Sequence, residues 1–195
     1  MVAVKTMGEL TLERMEKCSD ALSKKYLQSV RAIYGASENG RPDHIGSCVL
    51  LEFQGEKVLV TAAHVIDNNE FTSLYVSGES KLVQIVGSCL ITAAPNNDRD
   101  IDKFDFSAVP ISDELALNLG NVHFIPESEW GLDDLPQKDR CCLALGFPNS
   151  KNKKVNAAKN TVKLEPFVYT STLMSDPKLF ELINDHFESM HVVFL

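Results

Sequence analysis

Apolar and polar positions alternate with two different periods along this chain. In residues 9–28, ELTLERMEKCSDALSKKYLQ, Leu12, Met15, Cys18 and Leu22 recur three or four apart with charges between them. That spacing predicts an amphipathic helix. SVRAIY (29–34) then reads as a strand, and the Gly-, Asn- and Pro-punctuated GASENGRPD as a loop. From residue 46 the period falls to two: Val49, Leu51 and Phe53 of GSCVLLEF share one face. Gln54-Gly55-Glu56 can turn the chain so that KVLVTAA returns as the second arm of a hairpin. SLYVSG (73–78), KLVQIVGSCLI (81–91) and FSAVPI (106–111) continue the β pattern, the last preceded by the four-aspartate loop NNDRDIDKFD. About six short strands between residues 29 and 111 are the signature of a small antiparallel barrel or sandwich.

Beyond this block the pattern loosens. Residues 113–140 are acidic, hold Gly120, Pro126, Gly131 and Pro136, and read as a connector with one strand, NVHFI. Strands resume at CCLALGFP (141–148) and TVKLEPFVYTSTL (161–173), with KNKKVNAAK as an exposed basic loop between them. SDPKLFELINDHFES predicts a late helix capped by Ser175 or Asp176 with Pro177 in its first turn. MHVVFL reads as a buried strand. The chain therefore divides into a helical extension (1–28), a β-rich unit (29–112), a connector (113–140) and a second β-rich unit (141–195).

Composition narrows the function classes. Nineteen basic residues against 27 acidic give a net charge of −8, a surface that repels phosphate backbones and argues against nucleic-acid binding. No run of 18 apolar residues suggests a membrane span, and the first residues show no signal-peptide core. Five cysteines, with Cys141 and Cys142 adjacent and no C-x-x-C spacing, read as reduced thiols in a cytoplasmic protein. His44 in a loop, His123 in the connector, His186 on the late helix and His191 near the end lack metal-ligand spacing, so neither metal nor cofactor is expected.

His64 differs in its setting. VLVTAAHVI follows the hairpin that begins at GSCVLLEF, and DFSAV, opening on Asp105, follows 41 residues later. These segments resemble the histidine and aspartate motifs of the trypsin-like (chymotrypsin-fold) serine peptidases, and ALGFP (144–148) resembles the turn that often opens their second barrel. The resemblance covers roughly residues 29–195. It implies a mainly β, double antiparallel barrel with a complete first barrel and a partial second barrel; of the two predicted helices, one at each end, the N-terminal one lies outside the resemblance. It also implies His64 as general base and Asp105 as its orienting carboxylate, a chemistry for which the family is itself the standard triad template. Asp105 is preferred over Asp98, Asp100 and Asp102 because it alone abuts the strand, the others reading as solvated loop residues. The plain alternative for His64 is a satisfied histidine at a strand end.

The nucleophile has no counterpart. The family's serine occupies a Gly-x-Ser-Gly turn whose amides form the oxyanion hole, and no glycine follows Gly146 here. Ser150, Ser171, Ser175 and Ser189 have no neighbouring glycine, and Cys141 and Cys142 fall within an apolar strand. The chain therefore reads as stopping short of the serine turn, by truncation or because a second polypeptide supplies the rest, and as inactive alone. An unfinished barrel exposes strand edges, which implies a homo-oligomer or a partner chain that completes it. Val65 stands where secreted members place a cysteine, and no Ile-Val-Gly-Gly start is present, which implies an intracellular, non-zymogen relative. The expected function is peptide-bond hydrolysis on peptide or protein substrates. A non-catalytic trypsin-like module that binds peptides or proteins is the alternative, and an unrelated β-rich binding domain a third.

Overall fold

The structure, a computed structural model, describes residues 4–37, 41–131, 141–152, 155–156, 161–162 and 164–172. The expected late helix from Ser175, the MHVVFL strand, His186, His191 and Ser189 lie outside these residues. Helix α1 (Met7–Tyr26) begins two residues before the apolar period does, because its start is set by a capping box. The Thr6 hydroxyl accepts from the Glu9 amide while the Glu9 carboxylate accepts from the Thr6 amide. Lys24 and Lys25 in the last turn complement the helix dipole.

The architecture is mainly β. Strands β1 (Val30–Ala36), β2 (Pro42–Phe53) and β3 (Glu56–Thr61) pair antiparallel in sequence. The β2–β3 turn is tighter than expected. Phe53 pairs with Glu56, so only Gln54 and Gly55 turn, both at positive φ. Such a two-residue turn matches the strand twist and favours glycine. After helix α2 (Ala63–Asp67) come β4 (Tyr75–Ser77), β5 (Leu82–Gln84), β6 (Leu90–Ile91) and β7 (Ser107–Pro110). Residues 81–91 thus form two strands broken around Gly87, which sits at φ 116°.

The connector holds a helix that its composition concealed, α3 (Asp113–Leu119), and its strand is only β8 (Ile125–Pro126). Ser112 caps α3 through the Leu115 amide, Asp113 and Glu114 sit in its first turn, and Gly120 ends it at φ 82°. The main sheet runs β5-β4-β1-β2-β3-β7-β6, with β8 parallel to β2. No closed barrel is formed among the described residues: β5 and β6 are the two ends of the path.

Strand β9 (Cys141–Gly146), helix α4 (Asn149–Asn152), β10 (Val155–Asn156), β11 (Thr161–Val162) and β12 (Phe167–Thr172) follow. The stretch expected as a basic loop therefore contains a helical turn and a short strand. β9 pairs with β12 and β10 with β11. Ile33, Leu50, Leu59, Val76 and Leu119, all essentially solvent-free, belong to the core inside the main sheet. Each such side chain contributes about 1.5–3 kcal/mol by leaving water. A second cluster joins Val30, Ala32 and Tyr34 to Phe147. Strand β1 is thus buried on both faces, which explains its nearly continuous apolar run.

Candidate active site

Sheet register brings His64 and Asp105 together. Strands β3 and β7 are antiparallel neighbours with Thr61 opposite Ser107. Continuing two residues past that pair sets Ala63 beside Asp105, and the Ala63 amide donates to the Asp105 carbonyl at 3.0 Å. The chain turns there into α2, whose second residue is His64. The Asp105 carboxylate then makes two contacts. One oxygen accepts from the His64 amide at 2.9 Å, and the other meets the His64 Nδ1 at 2.6 Å. The aspartate side chain is 12% exposed and the histidine 59%. His64 Nε2 has no hydrogen-bond partner among the described residues.

Small residues make this turn possible. Ala63 is fully buried, and Gly46 on β2 lies so close to Val65 that a Cβ there would approach Cγ2 at 2.7 Å. The Asn68 side-chain Nδ2 donates to the His64 and Val65 carbonyls and closes α2 behind the histidine.

Asp105 has φ 39°, in the left-handed region that side-chain-bearing residues seldom adopt. Its neighbours are tied down: the Phe104 amide donates to Asp102 and the Phe106 amide to the Thr92 hydroxyl, each at 3.0 Å. Asp102 corrects the expectation of a solvated loop residue, because it is only 3% exposed. Hydrogen bonds from the Thr92 hydroxyl, from the Phe104 and Asp105 amides and from Arg99 hold its carboxyl well below the ordinary carboxylate range. Arg99 also grips Asp67, at the end of α2, at 2.8 and 3.1 Å. The Asp67 hydrogen bonds hold the guanidinium above its ordinary value. Thr92 and Arg99 escaped the sequence reading, and Asp102 was set aside in it as a solvated loop residue. The available signal was an arginine between aspartates, with a carboxylate three positions on.

The other expected features fall elsewhere. His44 is not in a loop but on β2, buried and edge-on to Tyr34, with both ring nitrogens unpartnered among the described residues. Burial pushes its imidazole below the ordinary value. Among the described residues, no group of His, Cys, Asp and Glu could hold a metal. Cys18, Cys48, Cys89 and Cys142 are free thiols, and burial pushes Cys48 up to about 12. No helix among the described residues is long and apolar enough to cross a membrane. A cavity of about 400 Å³, lined by Thr92, Pro95, Ile101 and Phe104, borders the loop that carries Asp105.

This arrangement can hold one imidazole tautomer with its second nitrogen turned to other chemistry. No family model matches the sequence, and no curated protein matches it.

Proposed function

We propose that this chain is part of a trypsin-like serine peptidase domain in which His64 is the general base and Asp105 orients it. One observation carries the reading: a 2.6 Å contact between His64 Nδ1 and Asp105, made where the Thr-Ala-Ala-His segment leaves β3 and the Asp-Phe-Ser-Ala-Val segment enters β7. In this reading residues 29–112 correspond to the first barrel, its sheet open between β5 and β6 among the described residues, residues 141–195 belong to the second, and peptides or proteins are the substrates. With Nδ1–H given to the aspartate, Nε2 keeps its lone pair and can take a hydroxyl proton during attack on a carbonyl. The carboxylate then stabilises the imidazolium. That proton later passes to the leaving amine, and water hydrolyses the acyl-enzyme by the same route.

The reading assigns no nucleophile within these residues, since no Gly-x-Ser-Gly occurs in them. The same fact favours a second reading, a peptide-binding module that keeps the trypsin-like pair without catalysis. A fluorophosphonate probe separates the two. Under the peptidase reading the natural gene product is labelled, its His64→Ala variant is not, and the 195-residue polypeptide alone is not. An unlabelled natural gene product favours the binding module, and labelling of the 195-residue polypeptide refutes the absence of an activated serine in it.

A further inference from the structure

We propose that Thr92, Arg99 and Asp102 form a positioning unit that holds Asp105 in its left-handed backbone conformation and thereby keeps the His64 proton on Nδ1. The inference rests on the reading of His64 and Asp105 as base and orienter. A non-glycine residue at φ 39° is strained and persists only where its surroundings over-determine it. Here both flanking amides end on one cluster: Phe104 on Asp102 Oδ1 and Phe106 on Thr92 Oγ1, each at 3.0 Å. The cluster is closed internally, because Thr92 Oγ1 donates to Asp102 Oδ2 at 2.5 Å. Arg99 Nη1 donates to the same Oδ2 and to the Thr92 carbonyl, both at 2.7 Å.

Arg99 also joins the two halves of the site. Its Nε and Nη2 form a fork on Asp67, three residues after His64 on α2, while Nη1 holds the loop that carries Asp105. A planar guanidinium suits this task, since its donors lie in fixed directions. The Asp102 side chain is only 4% exposed, so a missing partner would leave a buried charge uncompensated and the members act together. These three residues are positioning residues, for none touches the imidazole. Their effect passes through the Asp105 backbone to its carboxylate, and from there to the ring nitrogen that carries the proton.

The test is ¹⁵N NMR of the full chain with labelled histidine, read on the ring signals that distinguish the two neutral tautomers. Wild type and Thr92→Ser, which keeps the hydroxyl, should show His64 protonated on Nδ1. Thr92→Val, which keeps the shape without the hydroxyl, and Arg99→Gln should lose that signature, the Nε2–H form becoming the major one. Backbone amide spectra confirm that each variant is folded, and Asp98→Asn on the same loop should match wild type. Retention of the Nδ1–H form in both Thr92→Val and Arg99→Gln would overturn the positioning role alone. An Nε2–H ring in wild type would overturn the base–orienter reading, and this inference with it.

Discussion

Gly46 shows how a single missing side chain shapes the site. It has no unusual backbone angle, so its role is spatial: Val65 packs where a Cβ would stand. Val65 is buried and β-branched, with little rotamer freedom to retreat. Gly46→Ala should therefore push α2 off β2 and move His64, one residue before Val65. We expect a loss of about 1–3 kcal/mol by urea unfolding, the usual overpacking cost, together with lengthening of the 2.6 Å His64–Asp105 contact in a crystal structure of the variant. An unchanged contact would mean that the helix can yield without carrying the histidine. At this scale the sequence was partly legible. His64 and Asp105 were readable because their flanking strands fix their positions. Asp102 was not, since its burial depends on Arg99 and Thr92 folding over it, and a run of aspartates looks solvated in one dimension.

The β1–β2 pair argues at the level of elements. Tyr34 and His44 are opposite each other in the register, next to an irregularity after Ile33, and their rings meet edge-to-face. Among the described residues neither the phenol oxygen nor either ring nitrogen has a partner, a setting that disfavours the charged imidazole. Burial places its folded value below the ordinary one, with neighbouring Asp43 pulling weakly the other way. The sign follows from linkage: the unfolded chain takes up a proton at higher pH than the folded one. The stabilisation from a neutral His44 is complete above about pH 6.5 and is lost as pH falls toward the folded value. The urea midpoint should thus drop as pH falls below about 6.5. In His44→Phe, which keeps the ring contact, that part of the drop should vanish. An equally steep drop in the variant would place the acid sensitivity elsewhere. The sequence displayed the β2–β3 hairpin and the β1 strand, but it placed His44 in a loop because Arg41-Pro42-Asp43 resembles a turn. Helix α3 was hidden in a similar way, although Ser112 with Asp113 and Glu114 is an N-terminal signature, because surrounding glycines and prolines suggested a connector.

On the scale of the whole molecule, a long hairpin sheet supplies the frame, and the segments at one end of β3 and β7 bring His64 and Asp105 together. The period-two pattern revealed the mainly β class. Whether the sheet closes is a long-range property, set by pairings far apart in sequence, and short strands such as Leu90–Ile91 carry too few residues to announce a partner. Both ends of the main sheet remain single-sided among the described residues. The functional claim is likewise global, for it joins a geometry within these residues to a hydroxyl that no Gly-x-Ser-Gly in them provides. The most direct test is the rate of fluorophosphonate labelling of the natural gene product, compared between Asp105→Asn and Asp98→Asn. Loss of the orienting carboxylate should slow labelling by about 10⁴-fold, on the scale of the same change in the template Ser-His-Asp triad. The Asp98 variant, altered on the same loop away from the histidine, should label at the wild-type rate. Equal rates in the two variants, or no labelling of the wild-type product, would contradict a catalytic role for the His64–Asp105 pair.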